Sequence, residues 1–189
     1  PPGGAPGLLP GGRAVIDSHA HLADEAFGPD ADAVVARARA AGVDAILCVV
    51  DASDRDESAR AGSLARAWDG IRTTAGVHPH VAGAFAGRPA AAADLVADRL
   101  ASDPFARAIG EVGLDYHYDF APRETQRAVF AAQVALARTT GLPLVVHTRE
   151  ADDETIAILE REGGGQVRGV FHCFSGDRRL AAEAVRLGF

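Results

Sequence analysis

Hydrophobic and polar positions along this chain alternate in blocks. Short apolar runs rich in β-type residues fall at 14–18 (AVIDS), 45–50 (AILCVV), 71–77 (IRTTAGV), 107–112 (RAIGEV), 143–147 (PLVVH) and 168–174 (RGVFHCF). Between them lie longer stretches in which apolar residues recur at helical spacing. These predict helices over 30–41, 54–67, 90–101, 123–140, 150–162 and 177–187. The start and stop signals agree with that division. Asp30 is a candidate N-cap for the first helix and Gly42 its stop. Ser53 is the candidate cap of the second, with Asp56 at the capping-box position. Pro89 and Pro122 suit first turns, and Gly141 ends the fourth helix. Residues 1–13, PPGGAPGLLPGGR, have little to bury and predict a flexible leader ahead of a single domain over 14–189.

Six strand–helix units in succession predict an α/β fold. The strands read as continuous apolar runs, as expected for a parallel sheet covered on both faces. A doubly wound sheet and a (β/α)8 TIM-type barrel both fit that pattern. The polar residues discriminate between them. His19 and His21 close strand 1, His78 closes strand 3, Glu111 sits late in strand 4, His147 ends strand 5 and His172 sits late in strand 6. In a barrel all these ends meet at one mouth. In an open sheet, strands 1 and 6 are too far apart to share a site. The expected architecture is therefore an incomplete (β/α)8 barrel with about six of its eight units.

A single histidine near a strand end is usually a hydrogen-bonded structural residue. Glu111 is harder to explain that way, because a buried carboxylate costs several kcal/mol unless it is paired or bound to a cation. All 19 basic residues are Arg, so no lysine is available to pair with it. Arg107, four residues earlier on the same strand face, is the remaining candidate. The recurrence of imidazoles at equivalent strand ends favours a cation over packing.

Composition narrows the function. Hydrophobic residues make up 48% and charged residues 24%, an ordinary globular balance. A net charge of -7 argues against nucleic-acid binding through a broad basic face. No apolar run approaches the roughly 20 residues of a membrane span. Cys48 and Cys173 lie in apolar runs, where cysteines are small buried hydrophobes more often than disulfide partners, so a cytoplasmic location is expected. The chain contains no Met, including at position 1, which suggests a processed, trimmed or partial chain.

The segments IDSHAHL, GVHPH, AIGEVGLDYHYD, ETQRAVFAAQVALARTTGLPLVVHTREA and GVFHCFSGD, in this order, resemble the TatD family of metal-dependent deoxyribonucleases, within the amidohydrolase-type barrels. The resemblance implies two divalent cations, with Zn, Mg and Mn as candidates. His19 and His21 match ligands of the first, Glu111 the bridging carboxylate, and His147 and His172 ligands of the second. Glu111 and His78 are the candidate catalytic groups. Arg149, Ser175 and Asp115 are candidates for substrate contact, with Asp115 alternatively orienting a ligand histidine and Ser175 alternatively capping the last helix. Many binuclear barrel amidases bridge their metals with a modified lysine on strand 4, which this chain lacks. The implied reaction is metal-dependent hydrolysis of DNA phosphodiesters, with an exonuclease preference suggested by the family alone. The alternatives are a small ester, lactone or amide substrate on the same barrel, or an inactive fragment. In the family, an aspartate after strand 8 completes the first site. Phe189 falls where strand 7 is expected, so the expectation is a C-terminally truncated barrel, aggregation-prone and nearly inactive as it stands. His80 and His117 are expected at the rim and Trp68 in helix packing. Tyr116 and Tyr118 lie near the mouth, where they could stack on a base. The residues do not report on oligomeric state.

Overall fold

The computed structural model describes residues 14–118 and 120–189, so the leader expected over 1–13 lies outside the described residues. The strands are β1 (Val15–Ala20), β2 (Val43–Cys48), β3 (Ile71–Ala75), β4 (Ala106–Asp115), β5 (Leu144–Arg149) and β6 (Gly169–Phe171). The helices are α1 (Ala31–Ala40), α2 (Arg55–Ala67), α3 (Pro89–Ser102), α4 (Arg123–Thr140), α5 (Asp152–Gly163) and α6 (Arg178–Arg186). Two 3-10 helices, Glu25–Asp30 and Pro79–Phe85, complete the described elements.

The six strands form one parallel sheet in the order β1-β2-β3-β4-β5-β6. Space follows sequence without reversal, whereas a doubly wound sheet changes direction at a switch point. The sheet curls as half of a barrel wall, its helices alternating with its strands. All strand C-termini point the same way, so residues late in each strand share one end.

The packing follows from residue type. The central strands are almost wholly buried, and Ile109, Val112, Leu144 and Val146 are at most 1% exposed. Each such side chain contributes about 1.5–3 kcal/mol by leaving water. On α4, Gln126, Val129, Phe130, Gln133, Val134 and Ala137 form the buried stripe at helical spacing. Gly141, left-handed at φ 71°, stops this helix where expected. A second cluster, including Ile46, Cys48, Leu64, Trp68 and Ile71, packs between β2, β3 and α2. The edge strands differ: Ile16 on β1 is 63% exposed and Val170 on β6 is 46% exposed.

Several expectations need correction. β4 runs to Asp115, beyond the expected 112, because its far end pairs with β5 through Asp115 and Arg149. β6 is only three residues long, so His172 follows the strand instead of lying in it. α2 is capped by Asp54, whose carboxylate accepts from Glu57 N at 2.8 Å; Ser53 instead donates to Asp51. The Asp30 side chain makes no capping bond, because the 3-10 turn before it runs directly into α1. Cys173 is exposed at a positive φ of 45°, where a buried hydrophobe was expected; only Cys48 is buried.

Candidate metal centre

Glu111 is the hub of the strand-end cluster. It sits in mid-β4 and is 6% exposed. Its two oxygens face different imidazoles. Oε2 lies 3.2 Å from His19 Nε2 and 3.6 Å from His21 Nε2. Oε1 lies 2.6 Å from His172 Nε2, 2.8 Å from His147 Nδ1 and 3.3 Å from His78 Nε2. Within each set the ring nitrogens nearly touch: His19 and His21 meet at 3.1 Å, His147 and His172 at 3.3 Å. The chain thus brings together β1, β3, β4, β5 and the residue following β6.

Small residues allow this convergence. Gly113 on β4 sits at φ +146°, and a Cβ there would collide with the His147 carbonyl of β5. At Gly76, just after β3, a Cβ would come within 2.6 Å of the Gly110 backbone. Glycine at both positions lets the three strands close around Glu111. Arg107 does not reach it: the guanidinium is exposed and bonds the carbonyls of Pro104 and Ala106.

Asp115, four residues along β4, is the second buried carboxylate at this end, 1% exposed. Its Oδ1 accepts from the backbone N–H of His117 and of Tyr118 at 3.0 and 3.1 Å. Its Oδ2 meets His147 Nε2 at 3.0 Å and His80 Nε2 at 2.9 Å. Asp115 is therefore buried and within hydrogen-bond range of His147, a position that suits an orienting role for it.

The donor pattern tests whether a cation fits. His147 lies between two carboxylates, its Nε2 3.0 Å from Asp115 Oδ2 and its Nδ1 2.8 Å from Glu111 Oε1; with the proton on Nε2 its Nδ1 lone pair is free for a cation. The pairs of ring nitrogens just over 3 Å apart, His19 with His21 and His147 with His172, suit a shared ion as well. His19 Nδ1 is buried with no hydrogen-bond partner among the described residues. Groups able to hold a cation are His19, His21, Glu111 and His78, Glu111, His147. His78 is the weakest of these: its Nδ1 accepts from His80 N at 3.2 Å, which leaves the proton on Nε2, facing Glu111. That makes His78 a donor to the carboxylate. Imidazole and carboxylate together suit Zn²⁺ and related divalent ions.

Titration behaviour follows the wiring. Burial pushes the Glu111 carboxyl up, but four imidazoles at hydrogen-bond range hold it well below the usual carboxylate range. Burial pushes the Asp115 carboxyl up too, yet its His80, Tyr118 and His147 partners bring it down to about 2. Burial lowers His21 and His78, partly opposed by Glu111. His147 is raised: burial lowers it, and its two carboxylate neighbours more than offset that.

The remaining candidates lie further out. Arg149, at the exposed end of β5, places its guanidinium 4.9 Å from the Tyr118 ring centroid. Ser175 is exposed in the loop after β6, and Asp177, not Ser175, caps α6 by accepting from Leu180 N at 2.8 Å. His117 is exposed and pairs with Glu150. His80 belongs to the Asp115 network rather than to the solvent rim. Tyr116 is buried beside Arg123, so only Tyr118 faces the mouth. Sequence reasoning missed two amides. Gln126 on α4 clamps both backbone groups of Asp115, and Gln133 does the same for Val77. Their signal was polar residues seven apart on an otherwise apolar helical stripe.

A protein-family model described as TatD related DNase matches residues 16–189. The metal-dependent hydrolase YabD of Bacillus subtilis is 35% identical over 181 residues, covering 93% of this chain and 66% of its own. The 3'-5' ssDNA/RNA exonuclease TatD of Klebsiella pneumoniae is 38% identical over 174 residues, covering 92% and 64%. Among solved structures, YJJV, a TatD homolog from Escherichia coli, superposes with a TM-score of 0.78 at 29% identity, covering 92% of this chain and 65% of that one. The chain spans just under two thirds of the length of each of these proteins.

Proposed function

This chain belongs to the TatD related DNase family, and from that premise we propose that the protein is a metal-dependent hydrolase of DNA phosphodiester bonds. One observation carries the reading: a single buried carboxylate splits its two oxygens between two sets of imidazoles. In this proposal His19, His21 and Glu111 hold one divalent cation, and Glu111, His147 and His172 hold a second. When bound, such cations neutralise phosphate charge and acidify water near neutral pH.

The chain's own groups do the rest. Asp115 Oδ2, 3.0 Å from His147 Nε2, holds the ring with its Nδ1 toward the site. His78 donates to Glu111 and keeps that carboxylate from rotating. Arg149 offers a fork of donors for a substrate phosphate, and Ser175 a hydroxyl. Two bound divalent cations would make the mouth locally positive, which lets a chain of net charge -7 take a polyanion without a basic face. No helix of the described residues is long and apolar enough to cross a membrane.

The test is hydrolysis of single-stranded DNA, with and without EDTA, beside a small carboxylic ester, together with elemental analysis of the purified protein. Chelator-sensitive cleavage of DNA and bound divalent metal are expected. Metal-dependent turnover of the ester with none of DNA would move the activity to another bond, and protein free of metal above trace would sink the reading.

A further inference from the structure

Two aromatic side chains stand exposed beside the cluster. Tyr118 is 41% exposed and Phe120 is 63% exposed. Their rings lie 5.4 Å apart with an interplanar angle of 30°, a tilted pair whose exposed parts form one aromatic surface. His80 meets that surface from below, 4.7 Å from Phe120 and 5.5 Å from Tyr118. The Arg149 guanidinium backs Tyr118 at 4.9 Å.

The surface is rigidly tied to the candidate centre. Asp115 accepts from the backbone N–H of Tyr118 and also holds His80 and His147. His147 in turn touches Glu111. One carboxylate therefore links the Tyr118 backbone, His80 and His147 of the candidate centre. Tyr116, two residues earlier, is by contrast only 9% exposed.

We propose that Tyr118 and Phe120 form a stacking platform for an unpaired nucleobase of single-stranded DNA, adjacent to the phosphate held at the Glu111 cluster. This rests on the nuclease reading above and adds the feature that selects the strand. Base stacking on aromatics is insensitive to sequence and does not depend on a basic groove, which suits a chain of net charge -7. A base inside a duplex already has both faces covered and its edge paired, so only an unpaired base can lie on the platform.

The experiment compares a single-stranded oligodeoxynucleotide with a chain of the same length made of abasic residues. Wild-type protein should favour the base-bearing strand. Tyr118→Ala and Phe120→Ala should each raise its KM roughly 5- to 150-fold, the range for loss of one stacked base, with kcat little changed. In the double variant the two substrates should converge. Circular dichroism checks that the variants fold, and Tyr118→Phe should restore most of the affinity. Tyr118→Trp supplies a direct readout: its fluorescence should be quenched by phosphorothioate oligothymidylate and not by the abasic chain. Unchanged KM in both alanine variants, or equal handling of the two chains by wild type, overturns the platform while leaving the nuclease reading intact. Failure of wild type to cleave either chain overturns the nuclease reading and the platform with it.

Discussion

Glu111 and Asp115 are both buried carboxylates, four residues apart on one strand, yet they are wired differently. Asp115 is satisfied by the fold. Two backbone N–H groups and two imidazole nitrogens surround it, and the backbone donors are present whatever the pH. Glu111 faces only imidazoles, whose nitrogens also crowd each other. The first arrangement is complete without a ligand. The second gathers imidazole nitrogens and carboxylate oxygens around one space, a donor set that suits a cation. Buried carboxylates at one strand end can thus be sorted into structural and ligand-seeking by asking who supplies the protons.

The sharpest way to break this contrast is Glu111→Ala. It removes the group shared by both halves of the cluster, so turnover should fall roughly 10³-fold or more, equivalent to about 4 kcal/mol of transition-state stabilisation. Bound metal should fall with it. In the presence of chelator, however, the variant's melting temperature should hold or rise, because a buried charge that depends on uncertain donors has been taken away. A large loss of stability with metal content unchanged would mean that Glu111 is structural.

Chelation probes the same difference in the unaltered protein. Metal at about 100 times its dissociation constant should stabilise the folded state by about 2.7 kcal/mol. EDTA should remove that increment, read as a fall in the urea or thermal midpoint, and dilute Zn²⁺ or Mn²⁺ should restore it. An identical midpoint in both conditions would break the claim that the cluster seeks a cation.

Asp115→Asn should act more mildly. The amide oxygen can keep both backbone N–H bonds of Oδ1, but an NH2 group then replaces Oδ2 and cannot accept from His147 or His80. Loss of such an orienting partner costs about 10- to 100-fold in metal affinity or activity. The decisive comparison is between metal titrations of this variant and of Glu111→Ala. Equal losses would place Asp115 among the ligands instead of behind them.

Much of this was readable from the residues, and the reasons differ by element. The six strands and helices announced themselves through period, and α4 begins and ends where Pro122 and Gly141 require, although the caps expected at Asp30 and Ser53 do not form. His19, His21, Glu111, His147 and His172 stood out because each breaks or closes an apolar run of the sequence, although Glu111 lies in mid-β4 and His172 follows β6. What escaped was tertiary. That Asp115 belongs to β4 depends on pairing with β5, which no local pattern reports. His80 looked like a rim residue because its partner lies 35 positions away. Gln126 and Gln133 looked like ordinary polar residues on a helix, but their amides bond the backbone N–H and C=O of Asp115, at the end of β4, and of Val77, just past β3. Cys173 reads as buried in a phenylalanine-rich run, yet β6 stops at Phe171 and leaves it outside.

The smallest effect expected lies at acid pH and concerns Asp115 alone. Its carboxyl titrates at about 2 in the folded chain, against about 3.9 for an unperturbed Asp. As pH falls, the unfolded chain takes up this proton first. The stabilisation from the ionised carboxylate is therefore complete above about pH 4 and fades as pH drops through that value toward 2. The stability gap between wild type and Asp115→Asn, measured by urea denaturation with chelator present, should shrink steadily across that window. The wild-type curve should fall and the variant's should fall less, because an amide has no proton to gain. A gap that stays constant down to pH 2 would show that Asp115 contributes through shape and hydrogen-bond geometry rather than charge. The two carboxylates would then differ less than their wiring implies.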